Sequence, residues 1–521
     1  MALLPQSSVR GSRHLVAAAD HLAARAGDMV FASGGNAVDA AIATNAAIAV
    51  TGPHLCGLGG DLFALVHTPD GVVALNASGR AGSGADPSAL RAEGHASMPL
   101  RHDIRTVTVP GCVDGWVALH DRFGSLPLAD ALAPAIDLAE HGFPASPLLV
   151  GALARVDDAG RRHLADLAGQ ATRVGAIVRR PGVARTLRAI ADEGREAFYR
   201  GEFGRGLIAL GDGQFTEDDL GRSCAEWVTP LTATVFGVEM HTIPPNSQGY
   251  LTLGGAIVLD EVDLPDPDDE RWAHLLIEAA RLAGHDRPTV LHDGADGVAL
   301  LDAIRARRHL LDTERASTRT MPAGPGDTTY LCTAEVDGLA VSLIQSNASG
   351  FGSWLAEPST GINLHNRGLG FSLVDGHPAE FGPGRRPPHT LSPALATRSG
   401  DLVSVFGTMG GDAQPQILLQ IAARLFRHGQ SPAQAIGAAR WALAGPATGF
   451  DTWDDMSVQA VDIEGHAPAS WVAGLSSRGH RTASLPAWDS TFGHAHAIVS
   501  DSDGLSGAAD PRTRVGAVIG R

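Results

Sequence analysis

The chain has 521 residues, 44% hydrophobic and 19% charged, an ordinary balance for a globular protein with a large core. Lys and Arg total 40 against 57 Asp and Glu, a formal charge of −17, which argues against nucleic acid or an anionic membrane surface as a partner. The cysteines Cys56, Cys112, Cys224 and Cys332 lack metal-type spacing and read as buried free thiols. The first residues hold no continuous apolar stretch of the signal-peptide kind, and no apolar run approaches the roughly 20 residues of a membrane helix, so cytoplasmic residence is the default expectation.

In chain order, residues 14–26 read as a helix ending at Gly27, and Asn36 suits the N-cap of the small-residue helix AVDAAIATNAAIAV. LFALVHT and VVALNAS form a strand pair around Pro69-Asp70-Gly71. TVTVPG reads as a strand ending at Pro110-Gly111, followed by helices to about residue 225, among them LADALAPAIDLAEHG and GVARTLRAIADEG. VTPLTATVFGVEMHTI returns to strand, and 270–312 is largely helical. MPAGPGD at 321–327 reads as an exposed Pro/Gly linker, where a proteolytic cut is physically easiest.

Thr329–Val336 and Leu339–Ser346 read as strands joined at Asp337-Gly338, a two-residue hairpin signal. Closure on that turn would set Thr328 opposite Asn347 and Thr329 opposite Ser346. Later strands are LVSVFGT, HAHAIVS and VGAVIG, with the helix QILLQIAARLFRHG after the GTMGGD loop.

Asp327-Thr328 carries the chemistry. A threonine hydroxyl is a poor nucleophile until a base sits beside it, and a freed α-amino group on the same residue is such a base. Attack of the Thr328 hydroxyl on the preceding carbonyl would give an ester, and its hydrolysis would leave fragments 1–327 and 328–521. The new amine, with a reference pKa of about 7.7–8, could then take the hydroxyl proton. The backbone N–H groups of Gly410 and Gly411, between a strand end and a helix, are candidate oxyanion donors. GLGGD at 57–61 follows a helix and lacks the third spaced glycine of a dinucleotide fingerprint. His494 and His496 alternate along a strand and offer a pair at most, so no metal or cofactor is expected.

The chain resembles the γ-glutamyltransferase (glutathione hydrolase) family of N-terminal-nucleophile hydrolases almost end to end. The motifs that carry the resemblance are GGNAVDAAIA, GPHLCGLGGDLFAL, the VPG at 109–111, PLADALAPAIDLAEHGFP, FYRG, GQFTEDDL, PPNSQG, DTTYL, the 338–352 stretch, TGINLHNRG, RPPHTLSPAL and GTMGGD. It implies an α+β fold, a four-layer αββα sandwich. It also implies self-cleavage at Asp327–Thr328 into two fragments that stay together as one folded heterodimer, alone or paired again, and acyl transfer through a threonyl ester to water or an amine. By motif position Thr328 matches the nucleophile, Ser346 the family's second threonine, and Gly410-Gly411 the oxyanion glycines. Asn347 joins Ser346 as a group expected to orient Thr328.

The departures concern substrate. The family's Ser-Ser pair falls on His389-Thr390, its Gln/Glu on Arg367, its aspartate on Gly370 and its strand asparagine on Ala348. Its arginine falls on Ser78, with Arg80 two residues on. Arg367 removes what an α-ammonium wants and adds what a carboxylate wants. A substrate cation about 4 Å away would be disfavoured by roughly 4 kcal/mol at an effective dielectric near 20. Arg80, His365, Arg367, His389 and Thr390 are therefore candidates for binding a small acidic amide. The pattern is similar to the branch of cephalosporin (glutaryl) acylases and oxamate amidohydrolase. An internal partner for Arg367, such as Glu357 or Asp375, is the competing reading. Three functions remain: a threonine amidohydrolase or acyltransferase for γ-glutamyl or related acidic acyl amides, a hydrolase of the oxamate or glutaryl-cephalosporin type without transpeptidase activity, and an uncleaved binding protein on the same fold.

Overall fold

The computed structural model describes residues 7–322, 326–444 and 459–521 of the uncut chain. Its two large sheets use β1 (Val9–Gly11), β2 (His14–Ala18), β3 (Asp61–Thr68), β4 (Gly71–Ala77), β5 (Glu226–Val228), β6 (Leu231–Val235), β7 (Val238–Thr242), β8 (Thr329–Glu335), β9 (Ala340–Ser346), β10 (Ala394–Arg398), β11 (Asp401–Thr408), β12 (Ala495–Asp501), β13 (Gly504–Ala509) and β14 (Ala517–Gly520). One sheet runs β14-β2-β8-β9-β3-β4-β5 and the other β1-β13-β12-β11-β10-β7-β6, with antiparallel neighbours throughout. Segments before and after residue 327 supply strands to both sheets, so the two are one folded body.

Period-two alternation explains the layering. Tyr330, Cys332 and Ala334 of β8 point between the sheets, into a core with Phe63, Ile344, Leu395, Val405 and Ile498. Leu331 points outward with Val16, Leu62 and Leu343. There it meets α1 (His21–Ala32), α2 (Ala37–Thr51), α3 (Cys112–Phe123), α4 (Leu128–His141) and α5 (Pro181–Glu193). The second sheet carries α6 (Tyr250–Leu259), α7 (Glu270–Gly284), α8 (Gly297–Arg307) and α9 (Gln414–Ala422) on its outer face. The result is the four-layer αββα sandwich of the α+β class. Asn36 closes a capping box on α2, whose 15 residues are all buried, as a small-residue helix lying close to a sheet requires. All four cysteines are buried free thiols. No helix among the described residues is long and apolar enough to cross a membrane.

The structure corrects four readings. Residues 14–18 are the strand β2, paired with both β8 and β14, because a short, wholly buried apolar run fits a central strand as well as a helix. The helix begins after Asp20, whose carboxylate accepts from Leu22 N–H, and runs through Gly27, where α2 approaches closely. TVTVPG is no strand: Thr106 ends a short turn, Ile104–Thr106, and the rest is buried extended chain that bonds to loops, Val109 N–H donating to the Arg80 carbonyl. The linker is not exposed where it is described, since Met321, Pro322 and Gly326 are buried; residues 323–325 lie outside the described residues.

The fourth correction is one of register. Thr329 pairs with Gln345 and Ala334 with Ala340, one residue from the expectation. The Glu335 carbonyl accepts from Gly338 N–H, and Gly338 has φ +98. The loop is thus Val336-Asp337-Gly338, a three-residue turn ending in a left-handed glycine, rather than a two-residue turn. The slip puts Thr328 opposite Ser346 instead of Asn347.

Candidate active site

Ser346 pairs with Asp61 on β3, so Thr328, Ser346 and Asp61 lie side by side at one end of three adjacent strands. All three take the inward parity of Tyr330, Ile344 and Phe63. Thr328 is 1% exposed, and Ser346 and Asp61 are fully buried.

Ser346 is the hub. Thr328 Oγ1 donates to Ser346 Oγ at 3.0 Å, and Ser346 Oγ donates to the Asp327 carbonyl at 2.9 Å. Ala348 N–H and Arg367 Nη2 also reach Ser346 Oγ, at 2.8 and 3.3 Å. One hydroxyl therefore touches both the candidate nucleophile and the carbonyl oxygen of the bond it would attack. The Asp327 carboxylate accepts from Gly350 N–H at 3.0 Å. Burial raises its pKa, against the pull of Arg155, the Gly350 bond and Arg101.

Behind this row lie buried charges. Asp61 Oδ1 accepts from Gly79 and Gly111 N–H at 3.0 and 3.2 Å, and Oδ2 lies 3.2 Å from His389 Nε2 and 3.8 Å from His365 Nδ1. Burial opposes ionisation of Asp61, but His365, His389 and Arg367 outweigh it and hold the pKa at about 2. Leu391 N–H donates to His389 Nδ1, so Nε2 carries the proton shared with Asp61. Arg367 donates to Thr390 Oγ1 at 3.0 Å. Burial lowers its pKa to about 10, and the fields of Asp61 and Asp412 oppose that fall; it remains a cation at neutral pH. The internal carboxylates whose fields reach Arg367 are Asp61 and Asp412, while Glu357 accepts from Ser359 and Thr360 and Asp375 is exposed beside Arg91. Asp412 in turn pairs with Arg287 at 3.0 Å.

The candidate oxyanion glycines follow β11. The Tyr330 ring lies against Gly407, which brings the end of β11 to the start of β8. Gly410 and Gly411 have φ +143 and +56, values that favour glycine over any side-chain-bearing residue. Gln248 Nε2 donates to both the Thr390 and Gly411 carbonyls, at 3.0 Å each.

The structure thus gathers Thr328, Ser346, Arg367, His365, His389 and Thr390 around Asp61. It places two expected residues elsewhere. Arg80 bonds Asp293 and the Gly384 carbonyl, outside this network. Asn347 turns its side chain to the Pro53 carbonyl. Sequence reading missed Asp61, Gln248, Asp412 and Arg287. Asp61 left a signal: a carboxylate entering the wholly apolar run LFALV must be satisfied internally.

Among the described residues, one group has metal-like compactness: His274, Glu278 and His480. Its atoms already serve one another. His274 Nδ1 meets His480 Nε2 at 2.8 Å, and Arg281 meets Glu278 at 2.9 Å and His480 Nδ1 at 3.4 Å. The guanidinium supplies the positive charge that a metal would bring.

Burial holds His54, His389 and His496 at about 3 and His494 at about 4, below the ordinary 6.5. Below 6.5 the unfolded chain binds protons that the folded chain refuses, so stability falls with pH through that window. Thermal melts should drop progressively from pH 6.5 to 4. A melting temperature flat over that range would contradict neutral buried imidazoles.

The gamma-glutamyltranspeptidase family model matches residues 23–520. The glutathione hydrolase-like YwrD proenzyme of Bacillus subtilis is 34% identical, over 98% of this chain and 99% of that protein. The oxamate amidohydrolase proenzyme of Klebsiella pneumoniae is 35% identical, over 99% of each. The crystal structure of a cephalosporin acylase from Bacillus halodurans superposes with a TM-score of 0.91 at 34% identity, covering 100% of this chain and 98% of that one. With the αββα sandwich already in view, the chain belongs to the gamma-glutamyltranspeptidase family of N-terminal-nucleophile hydrolases, among its amidohydrolases and acylases.

Proposed function

We propose that the chain cuts itself at Asp327–Thr328 and then hydrolyses or transfers small acidic acyl amides through a Thr328 ester. The observation that carries this is Ser346 Oγ, bonded at once to Thr328 Oγ1 and to the Asp327 carbonyl. In the cut, Thr328 Oγ1 attacks the Asp327 carbonyl carbon and passes its proton toward Ser346. The Ser346 O–H supports the charge growing on the carbonyl oxygen. The C–N bond breaks, the nitrogen gains a proton, and Asp327 is left esterified to Thr328. Water then hydrolyses the ester to the Asp327 α-carboxylate and the Thr328 hydroxyl, the Thr328 amine being already free from the break of the C–N bond. Relatives named as proenzymes support such a step.

In turnover the amine takes the hydroxyl proton, Thr328 Oγ1 attacks the substrate amide, and Gly410 and Gly411 N–H receive the oxyanion. The leaving amine departs with a proton, and water or a second amine releases the acyl group. Arg367 supports a carboxylate on the acyl part. Against a large charge preference stands local balance: Arg367 and Arg287 are matched by Asp61 and Asp412, so Arg367 serves as a directed donor more than a net attractor.

Purified protein should be offered γ-glutamyl-p-nitroanilide, glutaryl-p-nitroanilide and oxamate. Turnover of oxamate or the glutaryl amide in preference to the γ-glutamyl compound is expected. The oxamate and cephalosporin names of the relatives favour that direction. Loss of a hydrogen bond to a charged group is worth about 1.5–3 kcal/mol, so Arg367→Gln should raise KM for the acidic substrate by about tenfold or more. Turnover of the γ-glutamyl compound alone, unaffected by Arg367→Gln, would refute the acidic-acyl reading.

A further inference from the structure

The Gly410-Gly411 turn carries no side chain that could fix it, yet an oxyanion donor misplaced by 1 Å can cost about a hundredfold in rate. What holds the turn comes from the helical layer on the far side of the second sheet. Arg287, in the short helix Arg287–Val290 after α7, reaches Asp412 at 3.0 Å with both side chains buried. Gln248, just before α6, holds the Gly411 carbonyl and, with its second N–H, the Thr390 carbonyl. Arg367 responds to the fields of both Asp412 and Arg287. The buried charges therefore alternate as Asp61, Arg367, Asp412, Arg287. The outer two precede residue 327 and the inner two follow it, so the series crosses the proposed cut twice.

We propose that Arg287 and Gln248 are positioning residues for the oxyanion turn, holding Gly410-Gly411 in place through Asp412 and through the Gly411 carbonyl. This rests on the reading of Thr328 as nucleophile and of Gly410-Gly411 as oxyanion donors. Without Arg287, Asp412 loses the cation that it pairs with at 3.0 Å and is left to the field of Arg367, so the turn that carries it shifts. The side chains proposed to meet the substrate keep their mutual bond, Arg367 to Thr390 Oγ1, since Gln248 holds only the Thr390 backbone carbonyl and Arg287 pairs with Asp412. The loss therefore falls on kcat and spares KM, because an oxyanion donor works in the transition state.

The variants Arg287→Gln, Arg287→Lys, Gln248→Met, Asp412→Asn and Arg287→Gln/Asp412→Asn should be compared with the wild type. Rates are read with the amide of the panel above that the wild type turns over fastest, and with p-nitrophenyl acetate, corrected for the Thr328→Ala background. We expect self-cleavage to persist in all five, since the Asp327 carbonyl is held by Ser346. Arg287→Gln and Gln248→Met should lose about 10- to 100-fold in kcat with KM within about threefold. Arg287→Lys should recover part of the loss. The double variant should be no slower than Arg287→Gln, because the two changes break one contact. A correctly cut Arg287→Gln or Gln248→Met with wild-type kcat, or a loss confined to KM, overturns the assignment. So does a double variant whose losses multiply. If Arg287→Gln does not fold, Gln248→Met decides, since it leaves the charge series intact. A wild-type small fragment that does not begin at Thr328 would instead bring down the nucleophile reading on which this rests.

Discussion

Thr328→Ala should run as a single full-length band on a denaturing gel and show no amidase activity. The wild type should give fragments of about 35 and 20 kDa, scaled from 327 and 194 residues. The argument is subtractive. The substitution removes one hydroxyl from a site where Ser346 keeps its bonds to the Asp327 carbonyl, Ala348 and Arg367, so the fold should be retained, with a melting temperature near that of the wild type. With no Oγ1 there is no attack on the Asp327 carbonyl and no ester. Even a chain cut by an added protease would lack the group that accepts the acyl part. Mass spectrometry of the smaller wild-type fragment should find Thr328 at its N-terminus. A Thr328→Ala protein that still matured would show that the cut is made by something else. A wild-type chain that stayed whole on ageing would favour a binding protein on this fold.

How much of this was legible in the sequence depends on how local each feature is. The α2 cap, β3–β4, and the strand-to-helix passage at GTMGGD are short-range, and their residues specify them. The layer architecture came through resemblance, not periodicity. The strand β2 was read as a helix because its apolar run is buried on both faces, and nothing within five residues distinguishes the two. The hairpin failed by one residue for a sharper reason. Asp337-Gly338 fits a two-residue turn, but the left-handed conformation falls on Gly338 alone, and Val336, β-branched and poorly suited to φ > 0, joins the loop instead. In the candidate site, Thr328 and Ser346 were found by motif position. Asp61, Asp412, Arg287 and Gln248 were not, because they act on residues 125 to 328 positions away: His389 for Asp61, Gly411 for Gln248, Asp412 for Arg287. Arg80 fails for the complementary reason. It lies next to Gly79, whose N–H bonds Asp61, but its side chain leaves in another direction.

Ser346→Ala should slow self-cleavage by about 10²–10³, the cost of removing one donor from an oxyanion site, while leaving the chain folded. The hydroxyl does two things at once in the uncut chain. It donates to the Asp327 carbonyl, where negative charge grows as Thr328 attacks, and it accepts from Thr328 Oγ1, orienting that oxygen and receiving its proton. Alanine removes both, so freshly made protein should be largely full length and should mature over a much longer time. The structural penalty is smaller. Ala348 N–H and Arg367 Nη2 each lose an acceptor, at about 1–3 kcal/mol for a buried polar group left unpaired, which a lowered melting temperature would report. Ser346→Thr keeps the hydroxyl and supplies the residue that the family carries there, so it should restore cleavage to within about tenfold. That rescue separates chemistry from packing, because threonine changes the volume of the site while keeping the donor. Rapid maturation of Ser346→Ala would remove the Asp327 carbonyl contact from the mechanism. Failure of Ser346→Thr to restore the rate, in a folded protein, would show that the shape of the site, not the Ser346 hydroxyl, governs the cut.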